Sequence, residues 1–170
     1  GAGSDKEVLR VSTDSRKIEP GDLFIALRGE KFDGGAFAAQ ALQQGAAGVV
    51  LDRTQAPEIA SAIRVDDTVE ALGRLARAHR ASFSGPVIAI TGSNGKTTTK
   101  ELCANVLESA GRRVRRTPGN LNNHIGLPLS VLALAPADEV LVVEMGMNHE
   151  GEIDHLARIA QPTVGAITNV

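Results

Sequence analysis

Val87-Ile88-Ala89-Ile90-Thr91-Gly92-Ser93-Asn94-Gly95-Lys96-Thr97-Thr98-Thr99 is the stretch that decides how this 170-residue chain is read. The unbroken apolar run predicts a buried strand over Val87–Ile90, and the residues after it predict a glycine-containing loop and a helix from about Lys96 to Ala110, stopped by Gly111. That order, strand then glycine loop then helix, is the setting in which backbone N–H groups wrap a polyphosphate. Gly92 and Gly95 let the backbone approach with no Cβ in the way. Ser93, Asn94 and Thr98 complete the loop expected to contact a nucleotide. Lys96 reaches the β and γ phosphates as a point charge, and Thr97 offers a hydroxyl to Mg²⁺. The general pattern G-x-x-x-x-G-K-[ST] is not strictly met, because position 90 is Ile90. A glycine turn capping a helix that carries lysine by chance is the bland alternative; the coincidence of strand, Gly-Lys-Thr and helix argues against it.

Working outward, Leu102, Val106, Leu107 and Ala110 are expected to form the apolar face of that helix. Val114 sits in a short basic strand. A polar loop, Thr117–Gly126, leads to a short helix around Leu127–Leu134. Val140–Val143 is a further buried strand, and Glu144 at its carboxyl tip either is placed to hold Mg²⁺ or is a solvated strand-end charge. Gly151–Ala160 reads as a helix stopped by Gln161-Pro162, and Val164–Thr168 as a last strand. Before the Ser82–Pro86 link the same alternation appears: strands at Val8–Val11, Leu23–Leu27, Gly48–Leu51 and Ile63–Val65, and helices at Ala36–Gln44 and about Val69–Ala81. Arg28–Gly35 reads as a polar loop. Asp66-Asp67-Thr68 supplies N-cap chemistry, and Val69, Leu72, Leu75, Ala76 and His79 are expected on the inner side of the second helix. Apolar strands alternating with helices predict an α/β chain with parallel sheets. The expected organisation is a small α/β N-terminal domain, residues 1–83, followed by the first part of a parallel-sheet P-loop domain, residues 84–170, incomplete at its C-terminal end.

Composition narrows the function classes. Eighteen Lys+Arg against 20 Asp+Glu leave a net charge of -2, so no excess of positive charge draws the chain to nucleic acid. Aromatics are 2%, four Phe with no Trp or Tyr, which argues against a base-stacking platform for single strands. The single cysteine, Cys103, rules out an internal disulfide framework and reads as a small core residue. No long apolar span or signal peptide is apparent, and a cytoplasmic setting without membrane insertion is expected. His124, His149 and His155 are candidate ligands but more commonly such residues are simply hydrogen-bonded, and His79 is expected to pack. Asn120, Asn122 and Asn123 either shape a turn or grip a sugar or phosphate. Arg112, Arg113, Arg115 and Arg116 read as a solvated face. Thr13-Asp14-Ser15-Arg16 either binds a ligand or satisfies local backbone.

Three stretches together resemble the Mur ligase family, ATP-dependent amide ligases of peptidoglycan assembly. The first is Thr13-Asp14-Ser15-Arg16 with Pro20-Gly21-Asp22-Leu23-Phe24-Ile25-Ala26-Leu27-Arg28-Gly29 and Phe32-Asp33-Gly34. The second is Thr91-Gly92-Ser93-Asn94-Gly95-Lys96-Thr97-Thr98, similar to a family phosphate loop that also lacks the first Walker glycine. The third is Asn120-Leu121-Asn122-Asn123-His124-Ile125-Gly126-Leu127-Pro128-Leu129 with Glu144-Met145-Gly146-Met147-Asn148-His149-Glu150-Gly151-Glu152-Ile153. Within the family the likeness is to the member that adds D-alanyl-D-alanine to UDP-N-acetylmuramoyl-tripeptide. The diamino-acid-adding member typically carries Thr-Thr where this chain has Asn122-Asn123. The resemblance implies ATP and Mg²⁺ as cofactors, with Lys96 and Thr97 on the triphosphate, Glu144 on Mg²⁺, Lys96 and Glu144 as catalytic residues, Ser15 and Arg16 near the nucleotide-sugar, and Asn122 and Asn123 near the muramyl part. It further implies a monomeric three-domain enzyme, whose second metal-ligating His, modified lysine and amine-binding residues are expected beyond Val170, so that this stretch alone is expected to be inactive. A P-loop kinase, the diamino-acid-adding ligase, folylpolyglutamate synthetase and a non-catalytic nucleotide-binding module are the alternatives.

Overall fold

Two four-stranded, all-parallel sheets carry the chain, in a computed structural model that describes residues 7–29, 32–56 and 59–170. Residues 30 and 31 of the loop expected over Arg28–Gly35 lie outside the described residues. By packing, the chain divides into two units between Leu72 and Gly73.

In the first unit, β1 (Arg10–Ser12), β2 (Asp22–Ile25), β5 (Gly48–Asp52) and β6 (Ile63–Val65) lie side by side in that order. Between them come a two-residue hairpin, β3 (Arg28–Gly29) against β4 (Phe32–Asp33), and helix α1 (Ala38–Gln43), entered through a 3-10 turn over Gly34–Phe37. The loop expected over Arg28–Gly35 therefore contains strand pairing. The expected strand over Leu23–Leu27 stops at Ile25, because the Leu27 N–H turns back onto the Ile25 carbonyl. Phe24, Ala26, Val49 and Leu51 pack with Ala38 and Ala41 of α1, whose small side chains let the helix lie close to the sheet. Asp22 is almost wholly buried, and Arg10 answers it with Nε at 2.9 Å and a terminal nitrogen at 2.7 Å. That guanidinium holds the Asp22 carboxyl below the usual carboxylate range.

Helix α2 (Thr68–Ala81) starts where expected, capped by Asp67, whose Oδ1 accepts from the N–H groups of Val69 and Glu70. Leu72 and Ala76 are buried as the periodicity implies, but Leu75 is exposed. In its last turn Arg80 is buried instead. It donates to the carbonyls of Ala160 (2.8 Å), Phe83 (2.7 Å) and Gln161 (3.1 Å), with its charge over the Phe83 ring. Those contacts explain why the C-terminal part of α2 packs with the second unit, so that the division falls before the Ser82–Pro86 link.

In the second unit the strand order is β10 (Val164–Ile167), β7 (Val87–Thr91), β9 (Val140–Glu144), β8 (Val114–Arg116). Alternate residues of the central strands face opposite ways. Val87, Ala89, Leu141 and Val143 pack with α4 (Gly126–Leu132) and α5 (Glu152–Ala160), while Ile90, Val140 and Val142 pack with α3 (Lys96–Ser109). Helix α5 ends at Gln161, which turns into a left-handed conformation, and Pro162 after it cannot continue the helix. The expected apolar face of α3 is wrong in three places: Leu102 is 60% and Val106 68% exposed, and Ala110 is an exposed residue just past the end of the helix. Its inward face is Lys100, Cys103, Ala104 and Leu107, an i, i+3, i+4, i+7 stripe that begins with a buried lysine.

Candidate functional site

The phosphate loop lies at the tip of β7, between Thr91 and the first turn of α3. Gly92 (φ +134°) and Gly95 (φ +79°) both occupy conformations that side chains resist, and Gly95 is the N-cap. A Cβ at Gly92 would also lie 2.8 Å from the backbone N and O of Asn169. The residues after β10 brace the loop. The Ser93 N–H donates to the Asn169 carbonyl (3.0 Å), the Ser93 hydroxyl pairs with the Asn169 side chain, and the Thr168 hydroxyl donates to the carbonyls of Asn94 (2.5 Å) and Thr91 (3.2 Å). Lys96 Nζ folds back onto the carbonyls of Gly92 (2.6 Å) and Ser93 (3.2 Å). Thr168 and Asn169 were not visible as site residues, since nothing in a strand-end Thr-Asn marks it as a brace.

Glu144 is 1% exposed and gathers the rest of the site. Its Oε2 accepts from the Thr97 hydroxyl (2.8 Å) and its Oε1 from Asn122 Nδ2 (2.7 Å). Its own N–H donates to Thr117 Oγ1 (3.1 Å), and Lys100 Nζ stands 3.9 Å from Oε2. Sequence reasoning singled out Thr97, Asn122 and Glu144, and the fold brings the three together; it passed over Lys100 and Thr117. Asn123 behaves differently from Asn122. Its Oδ1 accepts from the N–H groups of Ile125 and Gly126, capping α4.

A cavity of about 440 Å³ opens beside these groups, lined among others by Lys96, Asn122, Asn123, His124, Glu152 and His155. His124 and His155 thus face the cavity. The His149 and Asn148 N–H groups instead donate to the Glu152 carboxylate, which holds that acid below its usual range. His79 bonds the Leu134 carbonyl at 3.1 Å, in keeping with packing. The basic run is answered by acids: Arg113 by Glu139, Arg115 by Asp138, Arg116 by Glu101 and Glu108. Among the described residues no cluster of three or more His, Cys, Asp or Glu is arranged around an ion position. The Thr97 hydroxyl and Glu144 carboxylate nevertheless fit Mg²⁺, which takes one or two protein oxygens and completes its shell with phosphate and water.

The first unit has a cavity of its own, about 450 Å³, lined by Thr13, Asp14, Ser15, Arg16, Phe24, Phe32 and Phe37. Asp14 accepts from the Arg16 backbone (3.1 Å) and takes its guanidinium through two 2.8 Å bonds, which pull the Asp14 carboxyl to about 2. The Phe32 and Phe37 rings stack at 5.8 Å between centroids. A 2% aromatic content hid this: three of the chain's four Phe stand in one wall.

No helix among the described residues is long and apolar enough to cross a membrane. Residues 7–80 match the domain described as Mur ligase family, catalytic domain, and residues 90–170 match the Mur ligase middle domain. The UDP-N-acetylmuramoyl-tripeptide--D-alanyl-D-alanine ligase of Bacillus subtilis is 51% identical over 162 residues, which are 94% of this chain and 35% of that protein. The enzyme of that name from Escherichia coli is 40% identical over 99% of this chain and 37% of its own length. The crystal structure of MurF ligase from Thermotoga maritima in complex with ADP superimposes with a TM-score of 0.87 at 40% identity, covering 98% of this chain and 39% of that one. The chain thus spans little more than a third of the length of these relatives. With both units matched by domains of a single family, and the expected phosphate loop folded at a strand tip, the chain belongs to the Mur ligase family.

Proposed function

We propose that the protein carrying this chain is an ATP-dependent amide ligase that joins D-alanyl-D-alanine to UDP-N-acetylmuramoyl-tripeptide, acting with Mg²⁺ as a cytoplasmic monomer. The observation that carries this reading is the chain of bonds from Thr97 through Glu144 to Asn122. It joins the first turn of the phosphate-loop helix to the wall of the neighbouring cavity. ATP fits the loop, where the helix N-terminus, the glycine turns at Gly92 and Gly95 and the Lys96 ammonium all favour a polyphosphate. Mg²⁺, when bound, would offset charge between the β and γ phosphates, with Thr97 and Glu144 as its protein ligands.

In this reading an oxygen of the tripeptide carboxylate attacks the γ phosphorus and ADP departs. The dipeptide amine then attacks the acyl carbon, loses a proton, and expels phosphate. Both reactants of the first step are anions. Lys96 and the amides at the start of α3 stabilise the charge that develops on transfer. Asn122 and Asn123 lie toward the muramyl part, and Asn123 does so while capping α4. Residues 1–83 hold the UDP-sugar, with Ser15 and Arg16 beside the stacked phenylalanines, which suit a flat uracil ring. Residues 84–170 are the opening part of the ATP domain. Because the chain spans so little of its relatives' length, it is expected to bind ligands without completing the reaction.

The test is phosphate release by the full-length protein with Mg-ATP, UDP-N-acetylmuramoyl-tripeptide and D-alanyl-D-alanine, each omitted in turn. Release that needs all three is expected. Release with a diamino acid and the shorter UDP-muramyl-dipeptide would move the assignment to the diamino-acid-adding ligase, and no release in either mixture would overturn the ligase reading.

A further inference from the structure

Lys100 has no part in the chemistry above, yet it is fully buried, the most costly placement a lysine can take. It lies one turn along α3 from Lys96 and Thr97. An ammonium has three donors. Here they meet the Thr117 carbonyl at 2.9 Å, the Gly119 carbonyl at 2.8 Å and Glu101 Oε1 at 3.0 Å. Glu144 Oε2, at 3.9 Å, receives its charge but no hydrogen bond.

Two of those three partners are backbone carbonyls of one loop, the segment that delivers Asn122. The ends of that segment are tied elsewhere. The Thr117 N–H donates to the Val142 carbonyl in the sheet, and the Gly146 N–H donates to the Asn122 carbonyl at 2.9 Å. The middle, where Gly119 turns through φ +53°, is held to α3 by Lys100. Asn122 must be placed accurately, because its amide donates to Glu144 while its side chain also lies against Gly146, where an added Cβ would come within 2.9 Å of it.

We infer that Lys100 is a positioning residue: by clamping the carbonyls of Thr117 and Gly119 it sets the loop that presents Asn122 to Glu144 and to the cavity. It thereby joins the helix that receives the nucleotide to the wall that receives the second substrate. The Asn122 side chain is tied to the first turn of α3 through Glu144 and Thr97, and the backbone of its loop is tied to the next turn through this ammonium. Methionine at position 100 matches the length of the stem but brings no donor. Arginine keeps the charge and the donors, but its longer stem and broad planar head do not fit the enclosed place of a compact ammonium without moving the loop.

The experiment compares Lys100→Met and Lys100→Arg with the unaltered full-length protein by site-resolved amide hydrogen exchange. The reporter is the Gly146 N–H, which rests on the Asn122 carbonyl; the control is the Thr168 N–H, which rests on Thr91. Lys100→Met is expected to speed exchange at Gly146 about tenfold or more, with Thr168 within about twofold. Equal acceleration at both amides marks a role in global stability alone and overturns the proposal, as does no acceleration at Gly146. If Lys100→Met does not fold, Lys100→Arg decides in its place: about threefold local acceleration is expected, and none overturns the proposal. A kinetic arm rests on the ligase reading. There the KM for the UDP-sugar substrate is expected to rise about tenfold with the KM for ATP within about threefold, and equal rises in both overturn the link between the two sides. Because the exchange arm needs no substrate, failure of the ligase reading and failure of the clamp are told apart.

Discussion

The two sheets have the same number of strands, the same parallel sense and different orders. In the first, the strands cross the sheet in chain order, β1-β2-β5-β6, each step in one direction. In the second, β7 lies inside, with β9 and then β8 on one side and β10 on the other. The direction of winding therefore reverses at β7, and the loops leaving neighbouring strands part there into a crevice. The phosphate loop and Glu144 both occupy strand tips at that reversal. The first sheet has no such reversal among the described residues, and its cavity is formed by side chains from a turn, the hairpin and the approach to α1. In the function proposed here one unit would hold its ligand with backbone at a strand tip, the other with side chains at its loops.

That contrast can be broken by experiment. The largest effect is expected from Lys96→Ala set against Arg16→Ala in the full-length protein. Lys96→Ala should lower kcat about a thousandfold, about 4 kcal/mol of transition-state stabilisation, with an unchanged circular dichroism spectrum. Arg16, whose side chain is 84% exposed, should give about a tenfold rise in the KM for the UDP-sugar substrate and little change in kcat. Similar effects from both would erase the distinction.

A second pair concerns glycines. Gly92→Ala forces a methyl against Asn169 at a positive φ and should cost about 2–3 kcal/mol, read as a lower unfolding midpoint and weaker ADP binding. Gly29→Ala, on the first unit's hairpin, meets nothing within 4 Å and should leave the midpoint unchanged within experimental error. The smallest effect concerns acid. Asp22 is held below its ordinary carboxyl range in the folded state, so its contribution is full above the ordinary value and fades as pH falls through the lowered one. Arg10→Met should remove about 1–2 kcal/mol near neutral pH, a figure kept low because Arg10 is half exposed. The loss should shrink below about pH 4, as denaturant midpoints measured across that range would record.

The same contrast explains what was legible in the chain. Val87–Thr99 announces itself because a strand tip, two glycines and Lys-Thr must follow one another in sequence to form a backbone site. Asn122 and Glu144 were legible as polar residues beside that site. Lys100 was not, because a lysine in a helix is ordinarily solvated and its buried partners are carbonyls, which every residue has. Leu102 and Val106 misled for the complementary reason: both are apolar at helical spacing but lie off the stripe that meets the sheet. In the first unit, Phe24, Phe32 and Phe37 are spread over strand, hairpin and turn, and no local pattern shows that they share a wall.

In the proposed reading the Lys96 ammonium, which rests on the carbonyls of Gly92 and Ser93, exchanges those bonds for phosphate oxygens when a polyphosphate enters. An incoming ion must outcompete two bonds that the loop already makes with its own lysine.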